Sequence, residues 1–129
     1  MKLPFSKDVL AHHVLRLGLA AVFLWFGFSQ LIDSLSWVNL VPDWATSLLN
    51  LPPAMIVMAN GLLEIVLGSL IALGFFVGPA ALILAAHLFV IACDIGLSAV
   101  GVRDFGLVFA TIALALHSWQ SEKVEVLKN

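Results

Sequence analysis

Glu64 is the residue whose type and position most clearly indicate chemistry. It lies in the stretch 60–68 (NGLLEIVLG), within the apolar run 54–77. About 20 apolar residues cross a bilayer as a helix, which puts Glu64 about 15 Å from the start of that helix, near the midplane. A carboxylate there costs roughly 2.5–3.5 kcal/mol on insertion scales. We therefore expect Glu64 to accept protons or to bind a polar headgroup; the alternative is a helix-packing residue, protonated or hydrogen-bonded to Asn60.

Arg16 is the first candidate partner for Glu64, with a role in proton handling at the same site. If the first helix begins at Val14, the two residues differ in depth by about 12 Å, which is too far for an ion pair. If the helix begins near Lys7, Arg16 lies deeper and the two side chains can meet. The alternative role for Arg16 is that of an interfacial residue whose guanidinium reaches the headgroups.

Further polar residues are predicted in the outer third of the protein, namely Gln30, Asp94, Arg103 and Asp104. Asp94 lies about 9 Å inside the end of its apolar run, and an Arg103–Asp94 pair would close a cavity over Glu64. The alternative for Asp104 is an N-cap of the last helix, with Arg103 in a surface pair worth under about 1 kcal/mol. This pattern is typical of a site for a ligand with a polar head and an apolar tail.

The elements that position these residues are those of a membrane protein. The chain has 129 residues, 62% hydrophobic and only 11% charged, whereas a soluble domain is nearer half apolar and a quarter charged. Its length fits a single integral membrane domain, residues 1–129. The net charge of −2 does not indicate a nucleic-acid partner. The single cysteine, Cys93, excludes an internal disulfide and is expected to be buried and inert.

The apolar runs predict an all-α protein, an antiparallel bundle of four transmembrane helices with spans at 14–32, 54–77, 80–100 and 105–119. Each span carries one stripe of polar and small residues, which must face the other helices because polar groups cannot face lipid tails. No small-x-small site follows the first run, so we do not expect a cleaved signal peptide. Membrane lipid is the surrounding partner.

The connection 33–53 is expected to be partly helical and to lie across the outer mouth of the bundle. Pro42 can start a short helix toward Leu49. Trp37 and Trp44 are expected to anchor this segment at headgroup level, with stacking on a quinone ring as the alternative. Both would then line the ligand site.

Basic residues predict the orientation. Arg103 is the one basic residue in a loop on the opposite side from the termini. The positive-inside rule therefore predicts an inner-membrane protein with both termini cytoplasmic. The other basic residues all lie toward the termini: Lys2, Lys7, Arg16, Lys123 and Lys128.

Histidines raise the question of haem or a metal. A bis-histidine haem needs two imidazoles at one depth on facing helices. His87 and His117 differ by about 10 Å in predicted depth, and His12-His13 is an interfacial doublet. We expect neither haem nor a metal site, and no Walker, Rossmann, HExxH or GxSxG motif is present.

Four groups of residues between about positions 15 and 116 carry a family resemblance: Arg16-Leu17-Gly18-Leu19 with Phe23 and Gly27, Trp37 with Pro42-Asp43-Trp44, Gly61-Leu62-Leu63-Glu64 with Gly68 and Gly74, and Arg103-Asp104-Phe105-Gly106-Leu107. Together they resemble the DoxX family of small four-span membrane proteins. The family is named for a membrane subunit of an archaeal terminal oxidase and thiosulfate:quinone oxidoreductase. The resemblance implies a small membrane subunit that works beside a redox partner and handles quinone, with an acidic residue at the position of Glu64.

Three functions remain open at this point. The first is an accessory subunit of a quinone-linked membrane oxidoreductase, in which Glu64 binds the headgroup and passes protons. The second is a structural or assembly subunit that docks a partner or a second copy of itself. The third is a small transporter, which four short helices disfavour because they leave little room for a gated pathway. No pair of cofactor ligands indicates electron transfer by the chain alone.

Overall fold

The computed structural model describes Pro4 and residues 6–129, and these residues contain helices and no strand. Four of the helices are long and apolar enough to cross a membrane. The prediction of an all-helical protein with four apolar helices is confirmed. The elements are α1 (Lys7–Ile32), a 3₁₀ helix (Ser34–Leu40), α2 (Asp43–Leu49), α3 (Pro53–Leu73), α4 (Val77–Ile95) and α5 (Ala99–Lys128).

Helix α1 begins seven residues before the predicted start at residue 14. Ser6 forms its N-cap, because the Ser6 hydroxyl accepts a hydrogen bond from the backbone N–H of Val9. Residues 7–13, which include Lys7, Asp8, His12 and His13, are therefore the first two turns of α1. Lys2, which contributed to the predicted orientation, lies outside the described residues.

The turn between α3 and α4 differs from the prediction. Helix α3 ends at Leu73, where Gly74 adopts φ 82° and terminates the helix. The two residues between the predicted spans 54–77 and 80–100, Gly78-Pro79, instead lie in the first turn of α4. Proline is tolerated there because the first N–H groups have no partner within the helix.

Helix α5 begins at Ala99 and not near residue 105. Ser98 is its N-cap and accepts a hydrogen bond from the backbone N–H of Gly101. The predicted N-cap role of Asp104 is therefore wrong, since Asp104 lies inside the helix and is 6% exposed. The same helix continues to Lys128, so the polar C-terminal segment is helical and exposed.

The helices pack most extensively in two pairs, α1 with α3 and α4 with α5, and these pairs meet along α3/α4 and α1/α5. Glycines allow the closest approach. A Cβ atom added at Gly27 would lie 2.7 Å from the carbonyl oxygen of Gly61, and one added at Gly61 would lie 2.7 Å from that of Gly27. Only glycine fits at both positions, which brings the polar face of α1 against that of α3.

The core between the helices is small and apolar, built from alanine, leucine, phenylalanine and isoleucine side chains such as Leu19, Phe23, Ile71 and Leu84. Many other large apolar side chains point outward, as a lipid-facing surface requires. Cys93 belongs to that outer surface, since it is exposed, and the expectation that it is buried is wrong.

Candidate functional site

A cavity of about 170 Å³ lies between α1, the 3₁₀ helix, α3, α4 and α5. Apolar side chains form most of its wall, among them Phe26, Ile56, Leu88 and Ile91. Its polar wall is short and consists of Gln30, Trp37, Asn60, Glu64, Arg103 and Asp104. An apolar cavity with a few convergent polar groups is the usual form of a small-molecule site.

Glu64 is the centre of this polar wall and is 4% exposed. The side-chain amide of Gln30 donates to Glu64 Oε2 at 3.2 Å. Asn60 Nδ2 donates to Gln30 Oε1 at 2.7 Å and approaches Glu64 Oε1 at 3.4 Å. The three side chains therefore form one network that links the last turn of α1 to the middle of α3.

Local sequence explains why this network forms. Asn60 and Glu64 are four residues apart on α3 and so share a face. Gln30 reaches them because the close contact of Gly27 with Gly61 brings α1 against that face; the Gln30 Cβ atom lies 3.0 Å from a Cβ position built on Gly61. Of the predicted site residues, these three are brought into direct contact.

His87 also faces Glu64, a position that the sequence did not indicate. Its Nε2 atom lies 3.9 Å from Glu64 Oε1 and is buried, and it has no hydrogen-bond partner among the described residues. The similar depth of the two residues in the membrane could have indicated this contact. Glu64 lies nine residues before the end of α3 at Leu73, and His87 lies ten residues after the start of α4 at Val77. Consecutive helices that turn back on each other bring such positions to the same level.

Arg103 and Asp104 form the opposite side of the polar wall. The Arg103 guanidinium donates from Nε and Nη2 to Asp104 Oδ1 at 3.1 and 2.9 Å. It also lies 5.8 Å from the centre of the Phe26 ring, while its side chain is 53% exposed. The predicted Arg103–Asp94 pair is wrong, because Arg103 pairs with its neighbour in the helix.

The two tryptophans of the outer segment have different environments. Trp37 lines the cavity, donates to the Ser29 hydroxyl at 3.3 Å and meets the Phe26 ring edge-to-face. Trp44 donates instead to both carboxylate oxygens of Asp94, at 3.0 and 3.2 Å. Asp94 and Trp44 join α2 to the end of α4 and do not line the cavity.

Arg16 lies at the other end of α3, away from the cavity. Its Nη1 atom donates to the backbone carbonyls of Ile71 and Ala72, both at 2.7 Å. The hypothesis of an Arg16–Glu64 ion pair is therefore wrong. Because α1 begins at Lys7, Arg16 lies deeper in the protein than it would if the helix began at residue 14. Its side chain nevertheless bonds carbonyl groups in the last turn of α3 and does not reach Glu64.

The geometry thus joins a ring-sized apolar cavity to a buried carboxyl group, with an imidazole behind that carboxyl. Amide and guanidinium N–H groups can donate hydrogen bonds to carbonyl oxygens of a ligand. Glu64 and His87 can each hold or release a proton. The arrangement suits a small, partly polar ring that exchanges protons.

The fold and this site define a small, all-helical integral membrane protein. The family model for DoxX matches residues 11–97, more than half of the chain. The chain therefore belongs to the DoxX family. A search of curated proteins and a search of solved structures find no match.

Proposed function

We propose that this protein is an accessory subunit of a quinone-linked redox complex in the inner membrane, in which the cavity binds a quinone headgroup beside Glu64. The observation that carries the proposal is the apolar cavity whose polar wall is the Gln30–Asn60–Glu64 network. Membership of the DoxX family, which includes a quinone oxidoreductase subunit, supports the same assignment.

The size of the cavity fits one ring. An apolar protein cavity of roughly 150 Å³ binds benzene, and this cavity is about 170 Å³. The substituents of a quinone ring would contact Phe26 and Leu88. One carbonyl oxygen would lie against Glu64, and the other would accept a hydrogen bond from Arg103. The isoprenoid tail then extends from the mouth toward lipid.

A quinone carries two electrons and two protons between its oxidised and reduced forms. In this proposal Glu64 passes both protons, one after the other, to or from a ring oxygen, and His87 exchanges each of them with Glu64 because its Nε2 atom faces the same carboxyl. Gln30 orients the carboxyl by its hydrogen bond to Oε2. The electrons come from a redox-protein partner, since the described residues offer a proton route and not a chain of electron carriers.

The proposed topology is an antiparallel four-helix bundle with both termini cytoplasmic. Contacts of α1 with α3 run in reverse order, Gln30 against Asn60 and Arg16 against Ile71, as expected for helices that cross in opposite directions. The 3₁₀ helix and α2 then lie on the outer side, and Arg103 is on that side also. A homo-oligomer is compatible with the exposed apolar surface.

Binding is tested best at Trp37, because it lines the cavity while Trp25 is 64% exposed on the lipid-facing surface. We expect a short-chain benzoquinone to shift the ¹⁹F resonance of fluorotryptophan at position 37 in nanodiscs and to leave that of Trp25 unchanged. Trp37→Phe and Trp25→Phe assign the two signals. Equal shifts at both positions would mean that the quinone only partitions into lipid, and the proposal would fail.

A purely structural subunit is the second candidate, favoured by one observation. The Glu64 network joins α1 to α3, so the same hydrogen bonds can serve helix packing alone. In that case replacing Glu64 changes stability or assembly and not quinone chemistry. The two candidates therefore differ in what an isosteric Glu64 variant does.

A further inference from the structure

A second cluster of polar side chains lies at the end of the protein that carries the termini. His12 of α1 stacks on His117 of α5, with ring centres 4.5 Å apart and ring planes inclined by 25°. His13 lies beside His12 at 5.8 Å between ring centres. Arg16 Nη2 lies 3.3 Å from His13 Nδ1. The cluster is separate from the cavity and plays no part in the proposed quinone chemistry.

This cluster contains polar groups that have no partner among the described residues. His12 Nδ1 is buried and has no hydrogen-bond partner, and no carboxylate pairs with these imidazoles or with Arg16 in the part of the chain that the structure describes. Two carbonyls and the His13 ring engage three of the five N–H groups of Arg16, so two of them bond no other described residue. The nearest acid along α1, Asp8, is exposed and forms no ion pair with another described residue.

The depth of the cluster matches lipid headgroups. Gly27 lies beside Gly61 and Ile65, which is the level of Glu64. His12 is 15 residues before Gly27, hence about 22 Å from that level along the helix. The hydrocarbon extends about 15 Å from the midplane and the headgroup region to about 20–22 Å. A ligand held here is therefore within reach of the lipid phosphates.

Apolar surface continues from the cluster toward the membrane centre. Val14 follows His13 and is 66% exposed, and Leu116 precedes His117 and is 57% exposed. Such side chains are suited to contact acyl chains below a headgroup. A free anion has no acyl chains and would not contact this apolar surface.

We propose that His12, His13, Arg16 and His117 form a binding site for the phosphate headgroup of an anionic phospholipid, which links α1 to α5. The imidazole and guanidinium N–H groups donate to the phosphate oxygens, and the acyl chains lie along Val14 and Leu116. The negative charge of the lipid compensates a cluster that holds no acid of its own. Bound lipid would stabilise the contact of α1 with α5. This contact is less extensive than that of α3 with α4, the other contact between the two helix pairs.

Native mass spectrometry tests this site by the lipid that the protein retains after release from nanodiscs of phosphatidylcholine with phosphatidylglycerol. We expect wild type to retain phosphatidylglycerol. The double variant His12→Gln/His117→Gln should retain at least about fivefold less, which matches the net loss of one hydrogen bond to the phosphate. Lys123→Gln, which removes an exposed cation of α5 on the same side, should retain as much as wild type.

Several results would overturn the proposal. Equal retention by the double variant, or an equal loss in Lys123→Gln, would indicate diffuse attraction with no site. Displacement of the lipid by millimolar inorganic phosphate would show a free-phosphate site. If the double variant does not fold, ¹³C-histidine spectra of wild type decide the question: phosphatidylglycerol should shift the His12 and His117 signals and leave that of His87 unchanged, and an absence of such shifts would refute the site.

Discussion

Replacing Glu64 with glutamine is expected to lower the quinone-linked turnover that depends on this protein by roughly 100-fold or more, the usual loss when a general acid or base is removed. Glutamine has nearly the shape of glutamate, and its one carbonyl oxygen can still accept the hydrogen bond from the Gln30 amide, the shorter of the two contacts. The variant therefore keeps the contact of α1 with α3 but cannot hold a proton. The loss should appear in turnover and not in the amount of folded protein.

The measurement compares quinone reduction by membranes from cells that carry the wild-type chain, no chain, or a variant. Asp43→Asn is the matched control, because it removes an exposed carboxylate at the start of α2, outside the cavity. We expect this control to match wild type. Full turnover in Glu64→Gln would favour the structural candidate, and no difference between wild type and the deletion would remove the redox proposal itself.

Arg16→Met is expected to lower the free energy of unfolding by about 2–4 kcal/mol, because hydrogen bonds to a charged group contribute about 1.5–3 kcal/mol each and part of the loss is recovered by water. The side chain bonds the carbonyls of Ile71 and Ala72 in the last turn of α3, and the Ile71 carbonyl also accepts from the backbone N–H of Gly74 at 3.2 Å. Removal of the guanidinium therefore takes two charged hydrogen bonds away and leaves the Ala72 carbonyl without this partner near the membrane edge. Arg16 is thus a structural residue and not part of the quinone site.

Reversible unfolding in mixed micelles measures this loss. Lys7→Met is the control, since Lys7 is an exposed cation in the first turn of the same helix and should change stability by under about 0.5 kcal/mol. Arg16→Lys should lie between the two, because a single ammonium group replaces the forked guanidinium. If Arg16→Met is as stable as Lys7→Met, the carbonyl contacts contribute nothing. Folded Arg16→Met should still bind the benzoquinone.

The sequence predicts well those features that depend on the length of apolar runs and on the spacing of residues along a helix. Four apolar helices follow from four long runs, and the shared face of Asn60 and Glu64 follows from their spacing of four. Gln30 was expected in the outer third of the protein and not beside Glu64, and the close contact of Gly27 with Gly61 explains why it reaches that carboxyl. These features depend on local sequence and on the exclusion of polar groups from lipid.

Helix ends and partner choice were harder to predict. The start of α1 depends on one hydroxyl cap at Ser6, and the end of α3 on the conformation of Gly74. Two acids, Asp94 and Asp104, were candidate partners for Arg103. Asp94 instead accepts a hydrogen bond from Trp44, because α2 packs on the end of α4. No local sequence pattern indicates this tertiary contact. His87 was considered only as a haem ligand, and its position opposite Glu64 follows from the α3/α4 turn.

The central claim is that a quinone ring occupies the cavity against the Glu64 carboxyl. Glu64 is one of three glutamates, and the other two, Glu122 and Glu125, are exposed near the end of α5. Infrared difference spectra of protein labelled with ¹³C-glutamate therefore resolve one buried carboxyl from two solvated ones. Addition of a short-chain benzoquinone should shift the ¹³C-carboxyl band of the wild type, with no shift in Glu64→Gln. A wild-type band that does not move, or a shift that persists in Glu64→Gln, would contradict the assignment of this cavity to quinone.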